Sequence, residues 1–415
     1  MRAYLLLLYI LLYQFSSAAE NPVASKGELD LTNWNPKQLP TISLAGEWRF
    51  YWQELLSVSQ LNSRAYSLAQ LTIPWNEQEI DGKVLSKNGY ATYALQIKLP
   101  PSINEVAFAV PAVFNSYAFW VDDKLICSSG QVGKSEAETT PRWQPQTVRV
   151  KVTSPSVVVL FQIANFQNTR GGCAEVMRIG DAEYLSWLSD VYHTTGKTLV
   201  AFCALLFIGG IAVYYLAEAK GYLHLAFLCF AYMLRFLFSD LYLATDFEID
   251  LPWIAAAKIE YATVPLIVFT AATFISGIYP KEFKRAARIF FQVSSAIALL
   301  SIVLIPSEGL TPILLLLQVL GLSLAVYCSI SILRAVVINR SGAWVTALSM
   351  VMFIVVASYN VYAFIMVLDL NRAFIHIGYA SAISLAAFSL MYRTPLRLKQ
   401  EDSEMLRYED LYGKE

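Results

Sequence analysis

Charge is scarce in this chain. Asp, Glu, Lys and Arg make up 15% of its 415 residues, against about a quarter in an ordinary soluble domain, a balance that suggests a membrane protein. Histidine is scarcer: His193, His224 and His376 stand far apart. The five cysteines include no CxxC pair, so no metal-ligand spacing exists and no metal or cofactor is expected. The formal net charge is −1 with no basic run, which excludes nucleic acid as a partner. Catalytic pairs are missing too. Glu136 and Glu138 lie close together, but in a polar loop without a supporting motif, whereas a glycosidase needs two acids converging in a cleft. The chain is expected not to be an enzyme.

Apolar residues fill the gap, at 56% of the chain and a mean hydropathy of +0.47. The chain opens Met1-Arg2, runs apolar from Tyr4 to Tyr13 and reaches Ser16-Ser17-Ala18-Ala19. A basic start, a short apolar run and small residues read as a signal peptide over residues 1–19; the alternative is a short uncleaved anchor. Either way residues 20–184, of ordinary composition, are exported. Residues 185–392 hold seven apolar segments near Thr198–Leu216, Tyr222–Tyr242, Trp253–Tyr279, Ala286–Ile305, Pro312–Ile338, Ala343–Leu368 and Ala373–Tyr392. Each has about the 20 residues a membrane helix needs. Lys220, then Lys281, Lys284, Arg285 and Arg288, then Arg334 and Arg340, then Arg393, Arg397 and Lys399 flank alternate connections. The opposite connections carry Asp246, Glu248 and Asp250, then Glu308, then Asp369 with Arg372. Positive charge collects on the cytoplasmic side, so the N-terminal domain is expected outside and the C-terminus inside. That requires an odd number of spans.

Ionisable groups inside a membrane are costly and mark function. Arg235 lies inside the second segment, and Asp240 near its outer end; this pair is the candidate intramembrane switch. Lys258, Glu260, Asn360 and His376 are further members of an outer polar network. For Asp240, Lys258 and Glu260 the alternative is simple placement at the interface. A retinal-type receptor needs a lysine in the last span, and Ala373–Tyr392 has none. A transporter normally shows repeats and midplane charges, and neither pattern is evident.

In the exported half, short runs alternate apolar and polar residues as half-buried strands do. They are Glu47–Trp52, Ala91–Leu99, Glu105–Val110, Ser116–Val121, Lys124–Cys127, Thr147–Val152 and Ser156–Ile163, with a short helix hinted at Glu54–Gln60. Pro100-Pro101, Asp122-Asp123, Ser154-Pro155 and Arg170-Gly171-Gly172 punctuate them. Such a series implies an all-β sandwich or jelly roll, with Trp48, Phe50 and Tyr93 in its core. Cys127 and Cys173 are the disulfide candidates, since an exported domain permits the bond; separate buried thiols are the alternative. Cys203, Cys229 and Cys328 lie in apolar spans as packing residues.

Specific motifs go further. Gly46-Glu47-Trp48-Arg49-Phe50-Tyr51-Trp52 opens the domain, followed by Ile73-Pro74-Trp75-Asn76, Gly89-Tyr90-Ala91-Thr92-Tyr93, Ser129-Gly130-Gln131-Val132-Gly133 and Arg170-Gly171-Gly172. This order, with seven spans directly after it, resembles bacterial seven-transmembrane receptors with diverse intracellular signalling modules. The resemblance covers nearly the whole chain. It departs at the hairpin, where Asp122-Asp123 replaces the usual Asn-Gly, and after Arg393, where residues 393–415 leave no room for a kinase or cyclase.

The resemblance implies a galactose-binding-like jelly roll that takes a carbohydrate or other small molecule. A sugar site needs flat aromatics and planar hydrogen-bonding groups, so Trp143, Arg142, Asn115, Asn165 and Arg170 are the candidate contacts. It also implies a bacterial inner-membrane sensor that binds outside and relays a shift to a separate cytoplasmic partner, a kinase or cyclase. Leu396–Leu411 offers a partner-docking or coiled-coil extension of the last helix, too short to hold a homodimer by itself; a frayed helix is the alternative. The competing readings are a non-signalling envelope binding or assembly protein, and a transporter.

Overall fold

The computed structural model describes residues 22–113, 115–306, 309–365 and 371–391. The expected signal segment over 1–19 and the tail over 393–415 lie outside the described residues. The chain divides into two compact units, Met1–Ser189 and Asp190–Glu415.

Among the described residues, the first unit is β-strands and one short helix up to Gly180, followed by the start of the long helix from Ala182. Its strands are β1 (Glu28–Asp30), β2 (Thr41–Ser43), β3 (Glu47–Trp52), β4 (Ser67–Gln70), β5 (Gly89–Lys98) and β6 (Glu105–Val110). They continue as β7 (Ser116–Val121), β8 (Lys124–Ser129), β9 (Gln146–Lys151), β10 (Ser156–Asn165) and β11 (Arg178–Gly180). Helix α1 is Val58–Leu61. One sheet runs β4-β3-β5-β10-β7-β8, with β1 beside the second half of β5; the other runs β2-β11-β6-β9. Every pairing is antiparallel except β1 with β5.

Strand alternation builds the core, because successive side chains leave a strand on opposite faces. On β3, Trp48 and Phe50 point inward; on β5, Tyr93, Leu95 and Ile97; on β10, Val159, Phe161 and Ile163. Phe108 of the smaller sheet meets Phe119 with ring centroids 5.1 Å apart, closing the sandwich. Each such ring or aliphatic chain contributes roughly 1.5–3 kcal/mol on burial. The other face of the larger sheet is covered in part by α1, whose Leu61 packs with Tyr51, Ala94 and Leu160.

One expectation is corrected here. Cys127 and Cys173 are not bonded to each other; both are free and buried. Each already has its own surroundings: Cys173 Sγ donates to the Glu175 carbonyl at 3.3 Å, and Cys127 on β8 faces Tyr117. Burial pushes both thiols up to about 12. The hairpin turns on its Asp122-Asp123 dipeptide. Asp122 takes a left-handed φ of 52°, and its carboxylate accepts the Val158 N–H at 2.9 Å, so the aspartate tethers the turn to β10.

The second unit carries the membrane helices. Among the described residues seven helices are long and apolar enough to span: α2 (Ala182–Ala217), α3 (Lys220–Phe238), α4 (Trp253–Ile278), α5 (Arg285–Leu304), α6 (Leu310–Val337), α7 (Ala343–Ile365) and α8 (Arg372–Met391). Helix α2 starts well before the apolar run because Asp181 caps it, Oδ1 accepting the Tyr184 N–H at 2.9 Å. Helix α3 ends at Phe238 and not at Tyr242. Ser239 is extended, Asp240 and Tyr242 have φ of 58° and 52°, and a 3-10 turn follows over Leu243–Phe247.

Small residues let these helices approach closely. A Cβ added to Gly210 on α2 would fall 2.8 Å from the Tyr222 carbonyl oxygen and 2.9 Å from Ala226 Cβ of α3. Outward positions such as Leu205, Leu300, Leu316 and Val351 remain exposed, as suits contact with lipid chains.

Candidate functional site

In the β domain, the five candidate ligand residues fall on one hydrogen-bonded seam at an end of the larger sheet. Arg142 N–H donates to the Asn115 carbonyl at 2.8 Å. Asn115 Nδ2 approaches Asn165 Oδ1 at 3.4 Å, and the same oxygen accepts Asn168 N–H at 3.2 Å. Asn168 Oδ1 in turn accepts Arg170 N–H at 3.1 Å. Trp143 follows Arg142 and is half-buried.

This seam changes the roles first assigned. Asn115 and Asn165 are 1% and 0% exposed, so they are interior amides and not surface contacts. Asn165 Nδ2 serves the Lys87 and Asn168 carbonyls at 2.9 and 3.0 Å; a buried amide must satisfy such groups internally. Arg170 grips Glu77 with two bonds of 2.6 and 2.8 Å, and Asn76 holds the same loop through Gly171 N–H at 2.8 Å. Arg142 is exposed and Trp143 and Arg170 are half-buried, Arg170 being engaged by Glu77.

In the bundle, the structure separates the proposed Arg235–Asp240 pair. Arg235 lies on α3 and faces α4: Nη1 is 3.9 Å from Glu260 Oε1 and 3.4 Å from the Glu260 carbonyl. Tyr242 donates to Glu260 Oε2 at 2.9 Å. Asp240 lies past the end of α3, where the left-handed backbone turns it toward α8. There Arg372 Nε contacts both its oxygens at 3.0 and 2.9 Å, and the Arg372 guanidinium lies 5.7 Å from the centre of the Tyr192 ring. Pro265 interrupts α4 one turn beyond Glu260. Proline removes a helix hydrogen bond and displaces the carbonyl four residues back.

Two further contacts extend the network to α2. His193 Nδ1 is 2.7 Å from Asp246 Oδ2, and Lys197 Nζ is 3.1 Å from the same oxygen. Burial alone would raise the Asp246 carboxyl, but bonds from His193 and Lys197 outweigh it and hold it below the ordinary value. His376 of α8 shares a 2.9 Å contact with Thr195 of α2. Lys258 donates instead to the Val303 carbonyl in the last turn of α5, at 2.7 Å, where a cation suits the helix dipole. One end of the bundle thus holds an ionic lattice across α2, α3, α4, α8 and the 3-10 turn. At the opposite end Arg340 Nε meets Glu282 Oε1 at 2.7 Å.

Sequence reasoning found Arg235, Asp240, Glu260 and His376 because they interrupt apolar runs. It missed the partnership of Arg372 with Asp240, which spans 132 residues and follows no local spacing. Among the described residues no group of His, Cys, Asp and Glu is arranged to hold a metal ion.

A family model described as 7TM diverse intracellular signalling matches residues 191–393. No curated protein matches the chain. Among solved structures, a GH2 beta-galacturonidase from Eisenbergiella tayi aligns at 14% identity and a TM-score of 0.25, covering 34% of this chain and 24% of the enzyme. A beta-glucuronidase from Ruminococcus gnavus aligns at 13% and 0.26, covering 34% and 27%. A beta-glucuronidase from an uncultured Clostridium sp. aligns at 11% and 0.26, covering 34% and 28%. The chain spans about a quarter of the length of these enzymes, and none of their properties transfers to it.

Proposed function

The membrane half of this chain belongs to the 7TM diverse intracellular signalling family, and from that premise we propose that the protein is a transmembrane receptor whose β domain takes up a small ligand. The bundle then shifts between two arrangements of different ligand affinity and passes the shift to a separate cytoplasmic partner, a kinase or cyclase. The observation that carries this reading is the ionic lattice of Arg235–Glu260–Tyr242, Asp240–Arg372 and His193–Asp246. Ion pairs inside a bundle add little stability compared with apolar packing, and charges within spanning helices, as Arg235 and Glu260 are, mark function. A lattice spread over four helices can exchange partners when one helix moves.

The same reading places the β domain on the periplasmic side of a bacterial inner membrane, after removal of a signal peptide, with the C-terminus in the cytoplasm. Its support is the charge bias: Asp246, Glu248 and Asp250 flank one end of the bundle, and Lys281, Lys284, Arg285 and Arg288 the other. A glycan is one ligand class, with Trp143 and Arg142 as the surface contacts. The protein itself carries out no catalysis in this reading.

The test is hydrogen–deuterium exchange on the full chain in nanodiscs, screened against glycans and small acids. A compound that protects the β domain should also change exchange in the segments holding Asp240, Tyr242 and Arg372. Compounds that protect the β domain and leave those segments untouched would point to a non-signalling envelope-binding protein and sink the receptor reading.

A further inference from the structure

The outward face of the larger sheet holds a cavity of about 200 Å³. Arg49 of β3, Ala94 and Gln96 of β5 and Val158 of β10 form its floor, and Val58 and Leu61 of α1 form an apolar wall. Gly27 closes the other side.

Arg49 is what makes this cavity more than a packing gap. Its side chain is 23% exposed, and Nη2 stands 3.6 Å from Glu28 Oε1, beyond hydrogen-bond length. Nε is buried and has no acceptor. A guanidinium carries five N–H donors, and leaving one buried and unbonded is costly. The Tyr66 ring lies over it, 5.3 Å from ring centre to guanidinium carbon, which covers a face and leaves the planar edge. Glu28 is itself held by Lys98 at 3.2 Å, so Arg49 shares that carboxylate with a second cation, and Arg49 is the charged side chain that lines the cavity. Tyr51, on the same face of β3, is buried with its hydroxyl also unpartnered.

The turn beside the cavity is shaped to this arginine. Gly27 has φ +76°, and a Cβ there would fall 2.3 Å from Arg49 Cγ and 2.9 Å from Nε. Its carbonyl accepts the Gln96 N–H at 3.0 Å, so the turn is fixed to the cavity floor.

We infer that this cavity binds a small organic carboxylate, its two oxygens on the terminal Nη1–Nη2 edge of Arg49, since Gly27 covers the Nε side, and its apolar body between α1 and Val158. A planar carboxylate matches the guanidinium fork bidentately, and the apolar wall selects an organic acid over a bare inorganic anion. The inference names the ligand class for the receptor reading and rests on the β domain being the ligand-receiving part.

The experiment is saturation-transfer NMR on the full chain in nanodiscs, with benzoate as the probe and benzamide as its neutral counterpart of the same shape. Benzoate should bind at least about tenfold tighter than benzamide, the margin expected for hydrogen bonds to a charged group. Arg49→Gln should remove that margin. Val158→Phe, which fills the cavity and keeps the arginine, should abolish binding of both. Wild-type protein that binds neither probe, or binds them equally, overturns the site, and so does benzoate binding unchanged in Arg49→Gln. The comparison of the two probes on wild-type protein stands whether or not the variants fold. This readout is confined to the ligand, so its failure leaves the receptor reading to the exchange experiment. Binding without any change in the bundle keeps the site and removes the receptor.

Discussion

At Asp122 one side chain does two jobs, tolerating a left-handed φ of 52° and accepting the Val158 N–H. Asn can do both, Gly only the first and Ala neither. Asp122→Asn should therefore stay within about 0.5 kcal/mol of the wild type, while Asp122→Ala should cost about 1–2 kcal/mol, read from thermal unfolding. Arg235 sets a sharper test. Removing it leaves Glu260 buried without its cation, a loss of about 3 kcal/mol. Arg235→Gln and Glu260→Gln should each lower thermal stability in detergent, and the double variant should recover part of the loss; losses that simply add would exclude the pairing. The buried thiols predict a pH effect. Cys127 and Cys173 rise from 9.0 to about 12 on burial, so the unfolded chain releases these protons first as pH climbs. Their contribution to stability is intact below about 9 and is lost as pH rises toward 12. Maleimide labelling of both in the folded protein should stay low from pH 7 to 9 and become complete on unfolding. At this scale the sequence identified the polar residues but not their partners. Asn115 and Asn165 looked like surface donors because their burial depends on strands 50 residues apart, and Arg49 drew no attention because nothing local shows that it lacks an acceptor.

Among the elements, the six- and ten-residue strands were legible because alternation over that length overrides local noise, as in Glu47–Trp52 and Ser156–Asn165. The three-residue strands β1, β2 and β11 were not, since three residues hold no period; they exist because partners elsewhere supply their hydrogen bonds. Hydropathy placed the helix centres but misplaced two ends. The start of α2 is set by the Asp181 cap and the end of α3 by left-handed residues, and both act through backbone geometry and not through apolarity. The α2–α3 contact yields its own prediction. At Gly210 the obstruction to a side chain includes the Tyr222 backbone, which cannot rotate away. Gly210→Val should cost about 1–3 kcal/mol and lower the temperature of half-loss in fluorescence-detected size-exclusion, whereas Gly209→Val, with open space around it, should not.

For the molecule as a whole, the proposed orientation decides which surfaces would meet a ligand and a partner in the receptor reading. With positive charge on the cytoplasmic side, a green fluorescent protein fused after residue 415 should fluoresce, and alkaline phosphatase fused there should be inactive; the reverse pattern would invert the proposed topology. The order of strands in the smaller sheet carries a consequence for biogenesis. β11 is the last strand made, yet it lies between β2 and β6 and pairs with both. β2 therefore waits, edge unpaired, from residue 43 until residue 180 has emerged. Such late, long-range closure makes folding slow, and an unpaired edge invites association with other chains. During synthesis the sandwich must finish folding while α2, which begins at Ala182, is already being made, so a holding chaperone on the side where the sandwich folds, the periplasm in the proposed topology, becomes the expected companion of its maturation.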